Sequence, residues 1–530
     1  MAKRTKPNEK LASSMRALRD LVQAEHRRVI QADELSRTDR DRLVKGGYLK
    51  PIINGWLMTA NPKDKSGDST TWYTSYWEFI KDYANNRFGN NWIVSPEASI
   101  SLLAGEQSVP NQIIIQCPKA NNLPIELPNK TSVFFYRTDL PKAKAADVDG
   151  LRVYPLPQAL ISASPQIWKS KREEIIALLG SVRTISVLLG PLLENGNVAA
   201  AGRISGALRL MGHEKDAEAI NSALKRAGHV PREIKDPFDS PIPMVAMGTK
   251  GASPVGSRIK IIWEQMRAGV LSEFVDTPKI INDHGGYLET IDERYTSDAY
   301  HSLSIEGYQV SEELIEKVRN GGWDPDQDRD DQEHMNALAA KGYWMAFQRV
   351  RSAIERILKG ESAAVLIEEE HQEWEQELFQ PSVNDGIIGP ERLAGYRSHP
   401  VFLRTSKYVP TAWQSLPDAM DAYFSCLKEE NDPRVAAILG HFVFTYIHPF
   451  ADGNGRTGRF IMNAMLASGG YPWTIVPVER RSEYLAAMDA ASLQKNIKPL
   501  ARLIQKLVRL APPPPRRRSR AEVDADQDNN

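Results

Sequence analysis

Two strongly apolar helical runs that flank a short polar loop limit how this chain can fold. The first run covers 435–447 and the second covers 460–466. The stripe of the first run that we expect to be buried comprises Val435, Ile438, Leu439, Phe442, Val443 and Tyr446. Pro449 cannot continue the first helix because it has no backbone N–H group. Burying the intervening loop is unfavourable without a charged ligand, so the pattern predicts a binding site at 448–459.

The second half of this loop suits an anion. Gly453, Asn454 and Gly455 present little bulk and lead into the second helix. The first N–H groups of that helix and the positive end of its dipole attract phosphate. Arg456 and Arg459 are three residues apart, so both can project from the first helical turn towards the same anion. These residues predict a phosphate cradle.

Two further side chains add chemistry to the cradle. Asp452 can hold a Mg²⁺ ion that bridges phosphate oxygens. His448 opens the loop, and an imidazole can accept a hydroxyl proton near neutral pH. The set predicts phosphoryl or nucleotidyl transfer. The competing interpretation is structural: the loop only connects two helices, and its arginines are surface charges.

The stretch from His448 to Arg459 resembles the signature of Fic-domain proteins, His-x-Phe-x-Asp/Glu-Gly-Asn-Gly-Arg-x-x-Arg, at every defined position. The resemblance covers about 280–500 and implies an all-helical core. It implies transfer of AMP from ATP to a hydroxyl side chain of a target protein, or of the chain itself. His448 is then the general base, and Asp452 holds Mg²⁺. The loop residues that the resemblance assigns to ATP are Asp452, Gly453, Asn454, Gly455, Arg456, Thr457, Gly458 and Arg459.

Fic proteins also carry a small β-hairpin flap that aligns the target as an added strand. Val401-Phe402-Leu403-Arg404 predicts such a hairpin within 393–410. The matching flap residues, expected beside ATP, are Thr405, Ser406, Lys407 and Tyr408. Tyr484 is expected near the adenine. Ser492 stands where the family usually has an asparagine, which leaves the contact to the base unspecified.

Ser302-Leu303-Ser304-Ile305-Glu306-Gly307 resembles the inhibitory helix motif of many Fic proteins, Ser/Thr-x-x-x-Glu-Gly/Asn. It lies in a predicted helix near 295–307. The resemblance implies that Glu306 pairs with Arg459 and withholds it from the γ-phosphate of ATP. We therefore expect an autoinhibited enzyme. The alternative is that Ser302 and Glu306 are ordinary residues of a helix surface.

Residues 1–60 predict short helices followed by a hairpin. Helices are expected at 11–23 and from 32 to 35, with a third from a Ser36 cap to residue 44. Gly46-Gly47 ends the third helix, and 48–58 forms two strands. This order predicts a winged helix-turn-helix. The residues 41–49, with Asn54-Gly55-Trp56, resemble winged-helix domains of antitoxin-type transcriptional regulators from abortive-infection systems.

The candidate DNA contacts of this module are Arg37, Arg40, Arg42 and Lys45. Asp39 and Asp41 dilute the basic patch, so DNA binding and protein docking both remain open. The formal net charge of the chain is zero, which confines any nucleic-acid contact to a local face.

The predicted fold class is mainly α, with an α+β N-terminal region ahead of the Fic core. A regulator-like domain and linker are expected at 61–240, with strands at 112–116 and 132–136. The Fic domain is expected at 250–510. The tail, 511–530, combines proline, basic and acidic residues and is expected to be disordered.

Only two cysteines occur, Cys117 and Cys426, which is typical of a cytoplasmic protein. Neither a signal peptide nor a membrane span is expected, because no long apolar run occurs. The expected partners are ATP and a target protein, with a homodimer as an expectation from the family. Two other functions remain open. One is a DNA-binding regulator whose Fic region senses nucleotide, and the other is a Fic enzyme that transfers phosphate or removes AMP.

Overall fold

The computed structural model describes residues 7–23, 27–62, 69–248, 250–323, 331–404 and 406–512. The contacts of the chain divide it into two compact units. The first unit comprises Met1–Ile242, Ala246–Pro254 and Val401–Pro410, and the second comprises Pro243–Val245, Val255–Pro400 and Thr411–Asn530. Most described residues are helical, which confirms the predicted mainly α class. The predicted disordered tail beyond residue 512 lies outside the described residues.

The first unit mixes helices with short strands. Its N-terminal elements are α1 (Pro7–Gln23), β1 (Val29–Gln31), a 3₁₀ turn (Ala32–Glu34), α2 (Arg37–Lys45), β2 (Leu49–Ile53) and β3 (Trp56–Thr59). They are followed by α3 (Thr70–Phe88), β4 (Ile93–Val94), α4 (Pro96–Leu103), β5 (Gln112–Cys117), β6 (Pro124–Leu127), a 3₁₀ turn (Pro128–Lys130), β7 (Thr131–Arg137), β8 (Ala146–Val148) and β9 (Leu151–Val153). The remaining helices are α5 (Leu156–Ser162), α6 (Pro165–Ser170), α7 (Arg172–Ser181), α8 (Ser186–Asn195), α9 (Val198–Leu210) and α10 (Glu214–Arg226).

The predicted start of α2 is present, but the helix expected before it is only a 3₁₀ turn. The Ser36 hydroxyl caps α2 by accepting from the Asp39 N–H at 3.1 Å. A capping residue needs extended backbone, and both Leu35 and Ser36 adopt ψ angles near 145°. The chain therefore leaves helical geometry before α2 begins. Gly47, with φ of +77°, takes the left-handed position after it.

Strands β1, β3 and β2 form an antiparallel sheet in that order, with the Asn54-Gly55 turn between β2 and β3. A second sheet has the order β4, β5, β7, β6, and its β5–β7 pair is parallel. Aromatic residues of α3 lie in the core between these elements. The elements expected of a winged helix are thus present in order, while that assignment stays a prediction.

The second unit is helical and contains the polar loop. Its helices are α11 (Pro254–Glu273), α12 (His284–Glu306), α13 (Glu312–Arg319), α14 (Asp331–Leu358), α15 (Ala363–Asn384), α16 (Leu416–Glu429), α17 (Pro433–Ile447), α18 (Asn454–Ser468), α19 (Arg481–Gln494) and α20 (Lys498–Leu510). Short 3₁₀ turns occur at Met244–Ala246, Pro390–Leu393, Trp413–Ser415 and Val478–Arg480. Helices α17 and α18 are buried along nearly their whole length. Apolar side chains on all sides of α17 explain why it lies in the interior.

The predicted β-hairpin flap is wrong for the residues that the structure describes between 393 and 410, since none of them is in a strand. This segment packs within the first unit instead. The side chain of Val409 joins the apolar core around α3, and the Lys407 carbonyl accepts from the Val109 N–H at 2.8 Å. A carbonyl used in this way is not paired with a facing flap strand. Thr405 lies outside the described residues.

Within the described ranges, no single helix has the length and apolar composition needed to cross a membrane. The pair Arg172–Ser181 and Ser186–Glu194 meets both criteria only when taken together, with a bend of 112° between the two helices.

Candidate active site

The polar loop joins α17 to α18 through two residues in left-handed backbone. His448 ends α17 with φ of 57° and ψ of 60°, and Gly453 precedes α18 with φ of 82°. The buried Asn454 side chain fixes the loop between them. Its Oδ1 accepts from the Phe450 N–H, and its Nδ2 donates to the Phe450 carbonyl, both at 2.9 Å. The Asn454 amide therefore rigidifies the loop.

The His448 imidazole is arranged to act as a base. Its Nδ1 lies 3.2 Å from the Thr445 carbonyl oxygen, which can only accept a hydrogen bond. Nδ1 therefore carries the proton, and Nε2 keeps its lone pair. Burial lowers the pKa of His448 to about 4, opposed by the Thr445 carbonyl and assisted by the Arg397 cation. The ring is neutral at physiological pH.

Arg456 is a buried cation beside the start of α18. It is 1% exposed, and among the described residues none forms a hydrogen bond with any of its guanidinium nitrogens. Its guanidinium lies 4.9 Å from the Phe379 ring centre and 5.4 Å from that of Tyr308. The Asp452 carboxylate is 3.7 Å from Nη2, beyond hydrogen-bond distance. A buried guanidinium without such bonds is expensive, unless an anionic ligand supplies them.

Arg459 is held by α12. Its Nη2 donates to Glu306 Oε1 at 2.8 Å and to the Ser302 carbonyl at 3.1 Å, while its Nε donates to Ser302 Oγ at 3.0 Å. A methyl group placed on Gly455 would lie 2.3 Å from Glu306 Oε1, so the carboxylate rests against the first turn of α18. Glu306 thus occupies part of the predicted anion cradle.

Asp452 lies at the mouth of the loop with a side chain that is 60% exposed. Its Oδ1 accepts from the Gly453 N–H at 2.6 Å. Within the parts of the chain that the structure describes, no group of three or more His, Cys, Asp or Glu side chains could hold a metal ion. Mg²⁺ at nucleotide sites is held by one or two carboxylates together with phosphate oxygens and water. A single accessible carboxylate beside the cradle fits that mode.

The remaining predicted loop residues pack in the core. Thr457 is fully buried, and Gly458 lets α18 approach His441, since a methyl group there would lie 2.7 Å from its Nδ1. Tyr484 is also buried, and its hydroxyl lies 2.7 Å from His441 Nε2. A contact of Tyr484 with adenine stays a prediction.

The flap residues contact the first unit. The Lys407 ammonium donates to the Asn111 side chain, and Ser406 Oγ accepts from the Tyr408 N–H at 3.1 Å. Tyr408 is 2% exposed. Binding of ATP by Ser406, Lys407 and Tyr408 stays a prediction.

The basic residues of α2 have carboxylate neighbours on the same helix. Arg37 lies 3.9 Å from Asp41, and Arg42 lies 3.7 Å from Asp39. Arg40 donates to the Ala32 carbonyl at 3.1 Å. DNA contacts by Arg37, Arg40, Arg42 and Lys45 stay a prediction.

Sequence reasoning missed two polar residues that support the loop. Arg392 donates to the Asp452 carbonyl at 2.8 Å and lies 2.7 Å from Glu375 Oε1 on α15. Burial raises the pKa of the Glu375 carboxyl to about 7, and the Arg392 cation opposes this. Arg397 donates to the His448 carbonyl at 2.8 Å. Partners that are backbone carbonyls 50 or more residues away leave no pattern in a single sequence.

Residues 366–466 match the model of the Fic/DOC family. The matched range includes the loop from His448 to Arg459 together with α17 and most of α18. The chain therefore contains a Fic domain.

The relatives at this domain are named as adenylyltransferases. Protein adenylyltransferase Fic of Nematostella vectensis is 36% identical over 124 residues, which are 22% of this chain and 28% of that protein. Protein adenylyltransferase fic-1 of Caenorhabditis elegans is 32% identical over 125 residues, or 23% and 24% of the two chains. This chain thus spans about a quarter of the length of these relatives. A solved structure of C. elegans Fic-1, residues 134–508, is 17% identical with a TM-score of 0.36, covering 69% of this chain and 93% of that one.

Proposed function

We propose that this chain is a protein adenylyltransferase that moves AMP from ATP to a hydroxyl side chain of a protein, itself included. The observation that carries the proposal is the buried pair of arginines at the start of α18. Within the described ranges, no residue forms a hydrogen bond with the three guanidinium nitrogens of Arg456, and Arg459 faces a carboxylate lying against the same helical turn. An anionic chain of phosphates satisfies both cations and the N–H groups of the helix end.

His448 supplies the proton chemistry in this proposal. Its Nε2 takes the proton from the target hydroxyl, and the resulting oxygen attacks the α-phosphorus of ATP. The bond from the α-phosphorus to the oxygen bridging to the β-phosphate breaks, and pyrophosphate leaves. Arg456 and Arg459 neutralise the charge on the departing phosphates. Asp452 would hold Mg²⁺, which neutralises phosphate oxygens when bound.

Autoinhibition follows from the same contacts. Glu306 places a carboxylate in the cradle, where it competes with the terminal phosphate for Arg459. Ser302 adds two acceptors from the same helix, so α12 holds Arg459 through three hydrogen bonds. ATP then binds without the contact that orients its α-phosphorus towards the hydroxyl. Release of α12 from Arg459 activates the enzyme.

Isotope position tests the reaction type. The Glu306→Gly protein is incubated with Mg²⁺ and ATP labelled on either the α- or the γ-phosphate. AMP transfer predicts protein-bound label from α-labelled ATP only. Label from γ-labelled ATP alone would instead establish phosphate transfer. Absence of label from both, in a protein that binds ATP, would favour a nucleotide sensor.

A further inference from the structure

The turn that carries His448 is unusual for a residue with a side chain. A histidine with φ of 57° lies in left-handed backbone, which is uncommon and strained for a residue other than glycine. The last carbonyls of α17 also lack partners within the helix. The His448 ring is held by the Thr445 carbonyl of α17, so the backbone carbonyls of 447–449 are the part of the turn that a group outside α17 can hold.

Arg397 is such a group. Its Nε donates to the His448 carbonyl at 2.8 Å, and its Nη2 lies 3.5 Å from the Ile447 carbonyl. Its backbone N–H donates to the Pro449 carbonyl at 2.9 Å. One residue thus contacts the carbonyls of three consecutive residues around the strained position.

The guanidinium is itself fixed from the opposite side. Nη1 donates to the His399 carbonyl at 3.0 Å, and Nη2 donates to the Thr411 carbonyl. Arg397 is 5% exposed, so water competes little for these bonds. A cation at the C-terminal end of α17 also faces the negative end of its dipole. The planar fork of arginine can reach these diverging carbonyls together, whereas the single ammonium of lysine cannot.

We propose that Arg397 is a positioning residue for the adenylyl transfer: it locks the left-handed turn of His448 and so aims Nε2 at the incoming hydroxyl. This role rests on the proposed function. Arg397 contacts the backbone carbonyls of the turn that carries His448, so in this proposal it acts on the chemical step through His448. A displacement of the base by about 1 Å lowers the rate about 100-fold.

The test compares substitutions in the released Glu306→Gly background. Arg397→Gln removes the fork and the charge, and Arg397→Lys keeps the charge alone. Arg258→Gln is the matched control, because Arg258 is equally buried and donates to the Tyr446 hydroxyl on α17 at 2.6 Å. We expect Arg397→Gln to lower kcat by about 10- to 100-fold while the Kd for ATP stays within about twofold of the background. The kcat of Arg397→Lys should lie between those of Arg397→Gln and the background. Both kcat and the Kd for ATP of Arg258→Gln should stay within about threefold of the background.

Hydrogen exchange measures the stability of the His448 turn independently of catalysis. The amides of Ile447, His448, Phe450 and Ala451 should exchange at least about tenfold faster in Arg397→Gln, and not in Arg258→Gln. Unchanged exchange and an unchanged kcat in Arg397→Gln would overturn the role of Arg397. Equal losses of kcat and ATP affinity in Arg397→Gln and Arg258→Gln would overturn it as well. If the background protein transfers nothing while exchange still responds, the proposed function fails and the hold on the turn stands.

Discussion

Replacing Glu306 with glycine should raise the rate of AMP transfer. The contact between Glu306 and Arg459 sets the range of the expected increase. The substitution removes one hydrogen bond between charged groups, 2.8 Å long, whose arginine is 6% exposed and whose glutamate is 29% exposed. Hydrogen bonds to charged groups contribute about 1.5–3 kcal/mol, which corresponds to about 10- to 150-fold in an equilibrium between held and released Arg459. The two hydrogen bonds that Arg459 donates to Ser302 remain, so the substitution weakens the hold of α12 on Arg459 without abolishing it.

The rate of incorporation from α-labelled ATP measures this shift. Glu306→Gln keeps the shape and loses the charge, so it should give a smaller increase of about 5- to 10-fold. Ser302→Ala removes the acceptor for Arg459 Nε alone and should raise the rate by about fivefold. Together, these two variants separate the contribution of the Glu306 charge to autoinhibition from that of the packing of α12.

Glu289→Gly is the matched control, because Glu289 is an exposed residue of the same helix and carries the same charge. It should leave the rate within about twofold of the unmodified protein. Equal incorporation of label by the Glu306→Gly and unmodified proteins would refute autoinhibition by Glu306. Equal activation by Glu289→Gly would show that loosening α12, rather than freeing Arg459, raises the rate.

Three further outcomes follow from the site. Arg456→Ala should weaken ATP binding by about 10- to 100-fold in calorimetric titration, because the substitution removes a buried cation that could bind phosphate. Unchanged affinity would show that Arg456 is not part of the cradle. The pKa of His448 is lowered to about 4, so its imidazole stays unprotonated above that pH. The rate of the Glu306→Gly protein should therefore stay constant from about pH 8 to about 5.5 and fall towards pH 4. A half-maximal rate near about pH 6.5 would contradict this. Asp452→Ala should raise the Mg²⁺ concentration needed for half-maximal rate by at least about tenfold, and an unchanged requirement would place the metal elsewhere.

The sequence was most informative where local physics decides the structure. Apolar periodicity predicted the two buried helices around 448–459, and the Ser36 hydroxyl caps α2 at the predicted residue. The resemblance of 302–307 to the inhibitory motif implied that Glu306 would meet Arg459, and the two side chains are 2.8 Å apart. In each case the residues that matter lie within one helical turn or in a motif of fixed spacing.

Prediction failed where distant parts of the chain decide. The apolar residues near 401–404 predicted a strand, but this segment packs within the first unit, and the local pattern cannot reveal its partners there. Arg397 also escaped notice, because its partners are backbone carbonyls, which every residue possesses. Side chains that bind backbone across 50 residues become visible only in three dimensions.

Intact-mass spectrometry tests the central claim most directly. The Glu306→Gly protein, incubated with Mg²⁺ and ATP, should gain the mass of one or more AMP groups. The same protein carrying His448→Ala should lose this gain by about 100-fold or more while it still binds ATP. A Glu306→Gly protein that binds ATP yet gains no mass, or gains as much without the His448 imidazole, would contradict the account.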